Sequence, residues 1–357
     1  MKLPLITIVT LSVLLAVSCG QRSGKQAQDA DLPKVTFVNN EADKKVDILV
    51  GEKLLTSYNW SDNVFKPYLY PIMSLDLSEV TRGFPIKPRE NERTDHPHQI
   101  GNWLTYGNVN GWDFWGNGSR GLGMASPNGG IIKHQGIESQ KEGNGEGVMI
   151  TTASWTNPKG KELLKERTEY HFIGRGNARI IDRIATVTAT DTVVSFQDTK
   201  EGMFGIRVAR QLELPSKEDV VLKEKDGSTT TVKALENQDV TGNYRSSEGI
   251  EGEAVWSTRA KWMNLYGVIR AEKISLVICD HPKNISYPTY WHARGYGLFA
   301  ANPFGVKDFT GGKEELNYAL QPGQSLTFRY RIIVYSGEHL TDAQINDYSD
   351  EFAKKYE

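Results

Sequence analysis

Rhythm is the strongest constraint on what this chain can become. From Lys34 onward it runs in short segments rich in Val, Ile, Tyr, Phe and Thr, broken by Gly, Asn, Asp and Pro. The spacing predicts strands over 35–38, 46–50, 54–58, 68–73, 130–136, 147–155, 163–173, 178–188, 193–198 and 203–212. It predicts others over 254–262, 267–270, 273–279, 316–320 and 325–335. Segment 163–173 carries lysines and glutamates that would also suit a helix, but strict alternation through Thr168, Tyr170 and Phe172 favours a strand. The charged span 216–253 reads as a surface hairpin with long loops. One terminal helix is expected over 341–356, with Thr341 as N-cap, Asp342 in the first turn and Lys354 and Lys355 in the last. So many strands with so little helix point to an all-β fold, a large β-sandwich, and no fixed-period repeat marks a propeller or solenoid.

The N-terminus has a different character. Lys2, an apolar run over 3–17, then Ser18 and Cys19 form a secretory signal whose apolar core falls short of the roughly 20 residues of a membrane span. The pattern resembles the lipobox of bacterial lipoproteins, which implies a signal over 1–19 and lipidation of Cys19; an ordinary signal with an incidental cysteine is the alternative. Residues 20–33 have the composition of a flexible tether, leaving 34–357 as one folded domain. With no acidic run after Cys19, lipoprotein sorting of the Bacteroidetes type places the anchored chain on the periplasmic face of the cell envelope. Cys279 is then the only cysteine left, so the core must be held without an internal disulfide. A net charge of −2 and a pI near 6.4 argue against nucleic acid as a partner and for a small or oligosaccharide ligand. Membrane contact is expected only through the lipid.

Chemistry concentrates between Asp95 and Trp115, where two of the seven histidines, five aromatics and three asparagines share one window without helical periodicity. Because proline restricts the residue before it, His96 is expected in extended or polyproline geometry, with His98 projecting to the same side. A second Asp-His-Pro at Asp280 to Pro282 is taken as another wall of the same pocket, and the glycine-rich loop 116–130 is placed to fold over it. In segment 66–71, prolines near both ends suit an edge strand or a strand entry.

These motifs resemble a bacterial family called PmoA-like, under the label "methane oxygenase PmoA". The resemblance rests on Asp95-His96-Pro97-His98, Trp103, Gly107 to Gly111 and Asp113-Phe114-Trp115. It extends to the 66–71 motif, Arg82, Asp198 to Gly202, Phe204 to Ala209, Pro288 to His292 and Asn302 to Gly305. The family carries a histidine and an arginine where this chain has Gln99 and Ile100. Despite the label, nothing here resembles a membrane-embedded oxygenase subunit. The resemblance implies an exported protein of undetermined activity, often associated with sugar-type dehydrogenases, with a build like the galactose mutarotase-like super-sandwich.

The candidate acid–base residues are His96, His98, His134, Glu201 and His292, since an imidazole titrating near neutrality and a carboxylate suit proton transfer beside a carbonyl or hemiacetal. Candidate ligand contacts are Asp95, Trp103, Asn110, Asp113, Trp115, Lys200, Arg207, His281, Tyr290 and Asn302, because rings stack on sugar faces while polar groups bond hydroxyls. Gly205, two residues before Arg207, is expected to leave room for a ligand. No cofactor is expected; a divalent metal such as Zn, on His96 and His98 with Asp95, His134 or His292, is an alternative without any familiar ligand spacing. Cys279 reads as a buried strand-end thiol, with a reactive thiol beside Asp280 and His281 as the alternative. The expected function is a carbohydrate-active lyase, epimerase or hydrolase, with a non-catalytic glycan-binding protein as the second possibility.

Overall fold

The computed structural model describes residues 32–216, 218–233 and 239–356, so the expected signal, Cys19 and most of the tether lie outside the described residues. Two large antiparallel sheets face each other. The first has nine strands, in spatial order β18 (Tyr290–Arg294), β19 (Leu298–Asn302), β12 (Gly202–Arg207), β5 (Asn102–Tyr106), β4 (Tyr68–Ile72), β3 (Lys53–Asn59), β2 (Lys45–Val50), β1 (Lys34–Asn40) and β7 (Gly143–Asn144). The second has eight, in order β15 (Asn243–Ser246), β16 (Trp262–Ile269), β17 (Glu272–Asp280), β21 (Ser325–Ser336), β10 (Ala178–Ala189), β9 (Glu162–Arg175), β8 (Glu146–Thr156) and β6 (Ile131–Lys141). Two small pairs, β11 (Val194–Phe196) with β20 (Tyr318–Leu320) and β13 (Val220–Lys223) with β14 (Thr229–Val232), stand outside them. Among the described residues the α-helices are α1 (Val306–Phe309), a single turn, and α2 (Asp342–Lys355).

The period-2 pattern explains the layering. In β21, Ile332 and Val334 face the inter-sheet core while Ile333, between them, faces outward onto α2 beside Val277, Ile345 and Phe352. Strands covered on both faces read as continuous apolar runs, which is why β17 is buried from Ile274 to Asp280. Phe204 of one sheet stacks on Tyr330 of the other at 4.6 Å. The all-β sandwich and its terminal helix therefore follow the sequence pattern, down to the Thr341 capping box closed by Gln344.

Three local expectations fail. β4 is paired on both sides, not an edge, and Pro71 is accommodated because the ladder is already thin: the register against β3 is irregular and only Leu69 pairs with Asn102 of β5. Residues 210–212 and 252–255 form 3-10 turns, so β12 ends at Arg207 and the strand expected over 254–262 begins only at Trp262. His96 is left-handed, with φ of +44°. Its carbonyl accepts from the Gln99 amide and from Arg82 Nη2, and these bonds override the preference imposed by Pro97.

Candidate active site

The outer face of the nine-stranded sheet, away from the inter-sheet core, carries the chemistry. Alternation sends Leu104, Phe204, Ile206, Trp291, Phe299 and Ala301 into the core. It sends Trp103, Gly205, Arg207, His292, Arg294, Leu298 and Ala300 the other way. Register then lines up one row across four strands, His292 opposite Ala300, Ala300 opposite Gly205, and Gly205 opposite Trp103. The gap at Gly205 holds no ligand space, contrary to expectation. A Cβ there would lie 2.6 Å from Trp103 and 3.1 Å from Trp115, so the glycine admits the two indoles, whose rings meet edge to face at 5.2 Å.

Above this face the 95–99 loop is held by two buried arginines. Arg82 donates to the carbonyls of Arg93, Asp95, His96 and Gln99 and to Asp95 Oδ1. Arg207, fully buried, donates to the same Oδ1 at 2.6 Å and to Gln99 Oε1 at 2.5 Å, so Gln99 has a defined task at the position where the chain departs from the PmoA-like pattern. Burial pushes the Asp95 carboxyl up, but His96 and the two guanidiniums outweigh it and hold the acid well below its ordinary range. His96 Nδ1–H donates to Asp95 Oδ2, and its ring stacks on Tyr296 at 5.1 Å and 3°. His98 lies beside it at 5.8 Å, buried, with Nδ1 lacking a partner among the described residues; burial, then Lys66 and its other cationic neighbours, hold its pKa well below the ordinary value. The loop over 116–130 does close on this side, where Asn117, Gly118, Gly121 and Leu122 share a crevice with His98 and Lys66.

The second half of the site lies across the row. His292 Nδ1–H donates to the Lys200 carbonyl at 2.9 Å, which leaves Nε2 as the acceptor nitrogen, not sealed off and bonded to nothing among the described residues. Burial lowers the His292 pKa while Glu201 opposes it, so the ring is a neutral base with a carboxylate in electrostatic reach. Glu201 is about one-third exposed and pairs with Lys200 Nζ at 3.0 Å. Tyr296 joins the halves, sitting over Arg207 at 4.8 Å and feeling the charges of both Arg294 and Glu201. His96, His98, Glu201, His292, Asp95, Trp103, Trp115, Lys200 and Arg207 are thus gathered on one face.

Other candidates lie elsewhere or are taken up by the fold. His134 is in the second sheet's edge strand, Nδ1 accepting from Tyr58 Oη at 3.0 Å and ring against Trp60, beside a separate cavity of about 370 Å³. The second Asp-His-Pro is no wall of this pocket. Asp280 ends β17 and binds Asn284 and the Thr289 amide, while His281 packs on Phe352 of α2. Asn110 ties its loop to Val193 and Ser195, and Asn302 binds the Thr199 carbonyl and the Phe304 amide. Tyr290 packs on Phe309 and Arg259. Asp113 accepts from the Trp115 and Gly116 amides, and its charge reaches Lys66 and Glu201. Cys279 is buried, its thiol pushed up to about 12 by burial, as a structural cysteine should be.

Among the described residues no three His, Cys, Asp or Glu side chains converge to hold a metal ion. The physical reason is visible at Asp95, whose carboxylate is taken up by the His96 ring and by two guanidiniums. Sequence reasoning passed over Lys66 as a site residue. Its Nζ donates to the His98 carbonyl at 2.7 Å and sits 5.1 Å over the Trp103 ring, and burial lowers its pKa to about 7. The available signal was a lysine set in an aromatic run.

The sequence profile of a "Family of unknown function (DUF6807)" matches residues 45–350. No curated protein matches the sequence. Among solved structures, the chain is similar to the galactosidase domain of the alpha-galactosidase-sucrose kinase AgaSK, with 10% identity and a TM-score of 0.40, covering 86% of this chain and 42% of that one. It is also similar to the GH36 alpha-galactosidase AgaA from Geobacillus stearothermophilus, with 9% identity, 85% and 40% coverage and a TM-score of 0.36. The chain thus spans about two fifths of these galactosidase chains. A galactose mutarotase-like protein from Lactobacillus casei ATCC 334 is covered over its whole length by 84% of this chain, at 9% identity and a TM-score of 0.32.

Proposed function

Since the chain belongs to DUF6807, a family of unknown function, we propose an activity from the site itself: acid–base catalysis on a sugar or keto-sugar. His292 is the general base, supported by Glu201, and Tyr296 is the acid. One observation carries this reading. His292 has its Nδ1–H fixed on a backbone carbonyl and an open Nε2 within electrostatic reach of a carboxylate, on a sheet face that also carries the edge-to-face indoles Trp103 and Trp115. A base so oriented suits ring opening, epimerisation or elimination, in which a proton moves to or from carbon or oxygen. Hydrolysis is less favoured, because it calls for two working carboxyl groups flanking one bond. Asp95 is held by two arginines, and Asp113 is bonded to two amides. Among the described residues Glu201 pairs only with the exposed Lys200.

Aldoses and oxidised sugars incubated with the protein in D₂O and followed by proton NMR provide the test. Wild type should exchange or convert at least one, and His292→Ala should lower the rate by about 100-fold or more with the fold intact by circular dichroism. A retained rate removes His292 as the base. The second reading, a non-catalytic glycan-binding protein, is favoured by the exposed His96 ring stacked flat on Tyr296, since Trp103 and Trp115 are fully buried and offer a ligand no face. It requires sugar binding in His292→Ala equal to wild type and no turnover in either.

The proposal extends to location, an exported lipoprotein anchored through Cys19 and facing the periplasm, and to kinship with the PmoA-like proteins. Cys19→Ala should move the expressed protein from the membrane fraction to the soluble one.

A further inference from the structure

Arg294 stands apart from the arginines around it. Arg82 and Arg207 share Asp95, and Arg93 is held by Glu213 at 2.6 Å. Arg294 has no carboxylate within ion-pair distance and no hydrogen-bond acceptor on its guanidinium among the described residues, and its nitrogens are not sealed from solvent. Its guanidinium carbon lies 5.5 Å from the ring of Trp256, whose face supports the group and leaves its donor fork free. It is half-buried, so the missing counter-charge matters more than it would on an open surface.

Position gives this free charge a meaning. Arg294 is two residues from His292 in β18, so both side chains leave the same face of the sheet with origins about 6.7 Å apart. Its charge is felt at both His292 and Tyr296. It lines a cavity of about 390 Å³ with Tyr296, Arg93 and Ser216, which is room for a sugar residue. Glu218 and Glu253 line the same cavity, and neither pairs with Arg294. The two-residue spacing between the side-chain origins is about the length of one pyranose ring bearing an exocyclic acid. Arginine binds a carboxylate through two parallel hydrogen bonds, a geometry no hydroxyl reproduces.

From this juxtaposition we propose that the substrate is an acidic sugar, a uronic acid residue whose carboxylate is recognised by Arg294. The inference rests on the carbohydrate reading above and narrows it to one class. A carboxylate next to the carbon that loses its proton also suits the chemistry assigned to His292, since a fixed guanidinium would neutralise the charge that builds there.

The test compares trigalacturonate with a neutral trisaccharide, galactotriose, by calorimetric titration of the whole mature protein. Wild type should bind the acid at least about 10-fold more tightly. Arg294→Gln should bring that ratio to about one, and Arg294→Lys should restore part of it, since charge remains and the fork is lost. Trigalacturonate binding no tighter than the neutral sugar, or a ratio that survives Arg294→Gln in a folded variant, overturns the proposal. If neutral sugars are converted and His292→Ala stops it while the acid gains nothing, the acidic-substrate inference falls and the catalytic reading stands. If neither trisaccharide binds and no sugar is converted, both fall.

Discussion

Lys66 shows what a single buried charge does to this fold. Burial lowers its pKa to about 7, so the folded protein holds that proton more weakly than the unfolded chain does. Its contribution to stability is complete above the ordinary lysine value and is lost as pH falls through about 7. Lys66→Met should therefore gain on wild type in thermal melts as the pH is lowered from 10 to 6, by on the order of a few kcal/mol. A gap between the two proteins that stays constant with pH would refute the assignment. In the sequence Lys66 stands out only as a lysine set in an aromatic run, and Arg294 not at all. What distinguishes them is a missing carboxylate partner in space, and composition records only that 42 basic and 44 acidic residues balance.

At the scale of elements, the strands and α2 were legible because their signals are local: alternation in β8, β9 and β10, and a cap with matching end charges at Thr341. Thr341→Ala should cost about 1 kcal/mol in chemical denaturation, since the hydroxyl accepts from the Gln344 amide. The 95–99 segment was legible as a site and illegible as a shape. The left-handed turn at His96 depends on Arg82, far along the chain in pattern terms and silent about its partners. Arg82→Lys replaces a five-acceptor fork by a single ammonium, and should raise amide hydrogen exchange across 95–99 while leaving β17 and β21 protected. The identical tripeptide at Asp280 misled for the same reason. Its surroundings are set by α2, and Asp280 is pushed up to about 7 by burial in a different sheet.

For the molecule as a whole, the two outer faces have opposite uses. The eight-stranded sheet is closed by α2, beneath which Arg331 and Asp182, both fully buried, pair through two hydrogen bonds. Arg331→Ala leaves Asp182 uncompensated and should cost about 3–5 kcal/mol in urea melts, whereas changing both residues to apolar ones of similar size should recover most of the loss. The nine-stranded sheet instead leaves its outer face to loops and to the ionisable cluster.

Strand order across that sheet decides which way the cluster looks when the protein is held. His292 sits on the terminal strand β18, and β1, where the described chain enters, is the eighth in line, seven spacings or roughly 30 Å away. A tag, a fusion partner or an immobilising surface joined ahead of Lys34 therefore meets the domain at its opposite flank. Ligand capture by protein fixed through its amino end should equal capture by protein free in solution.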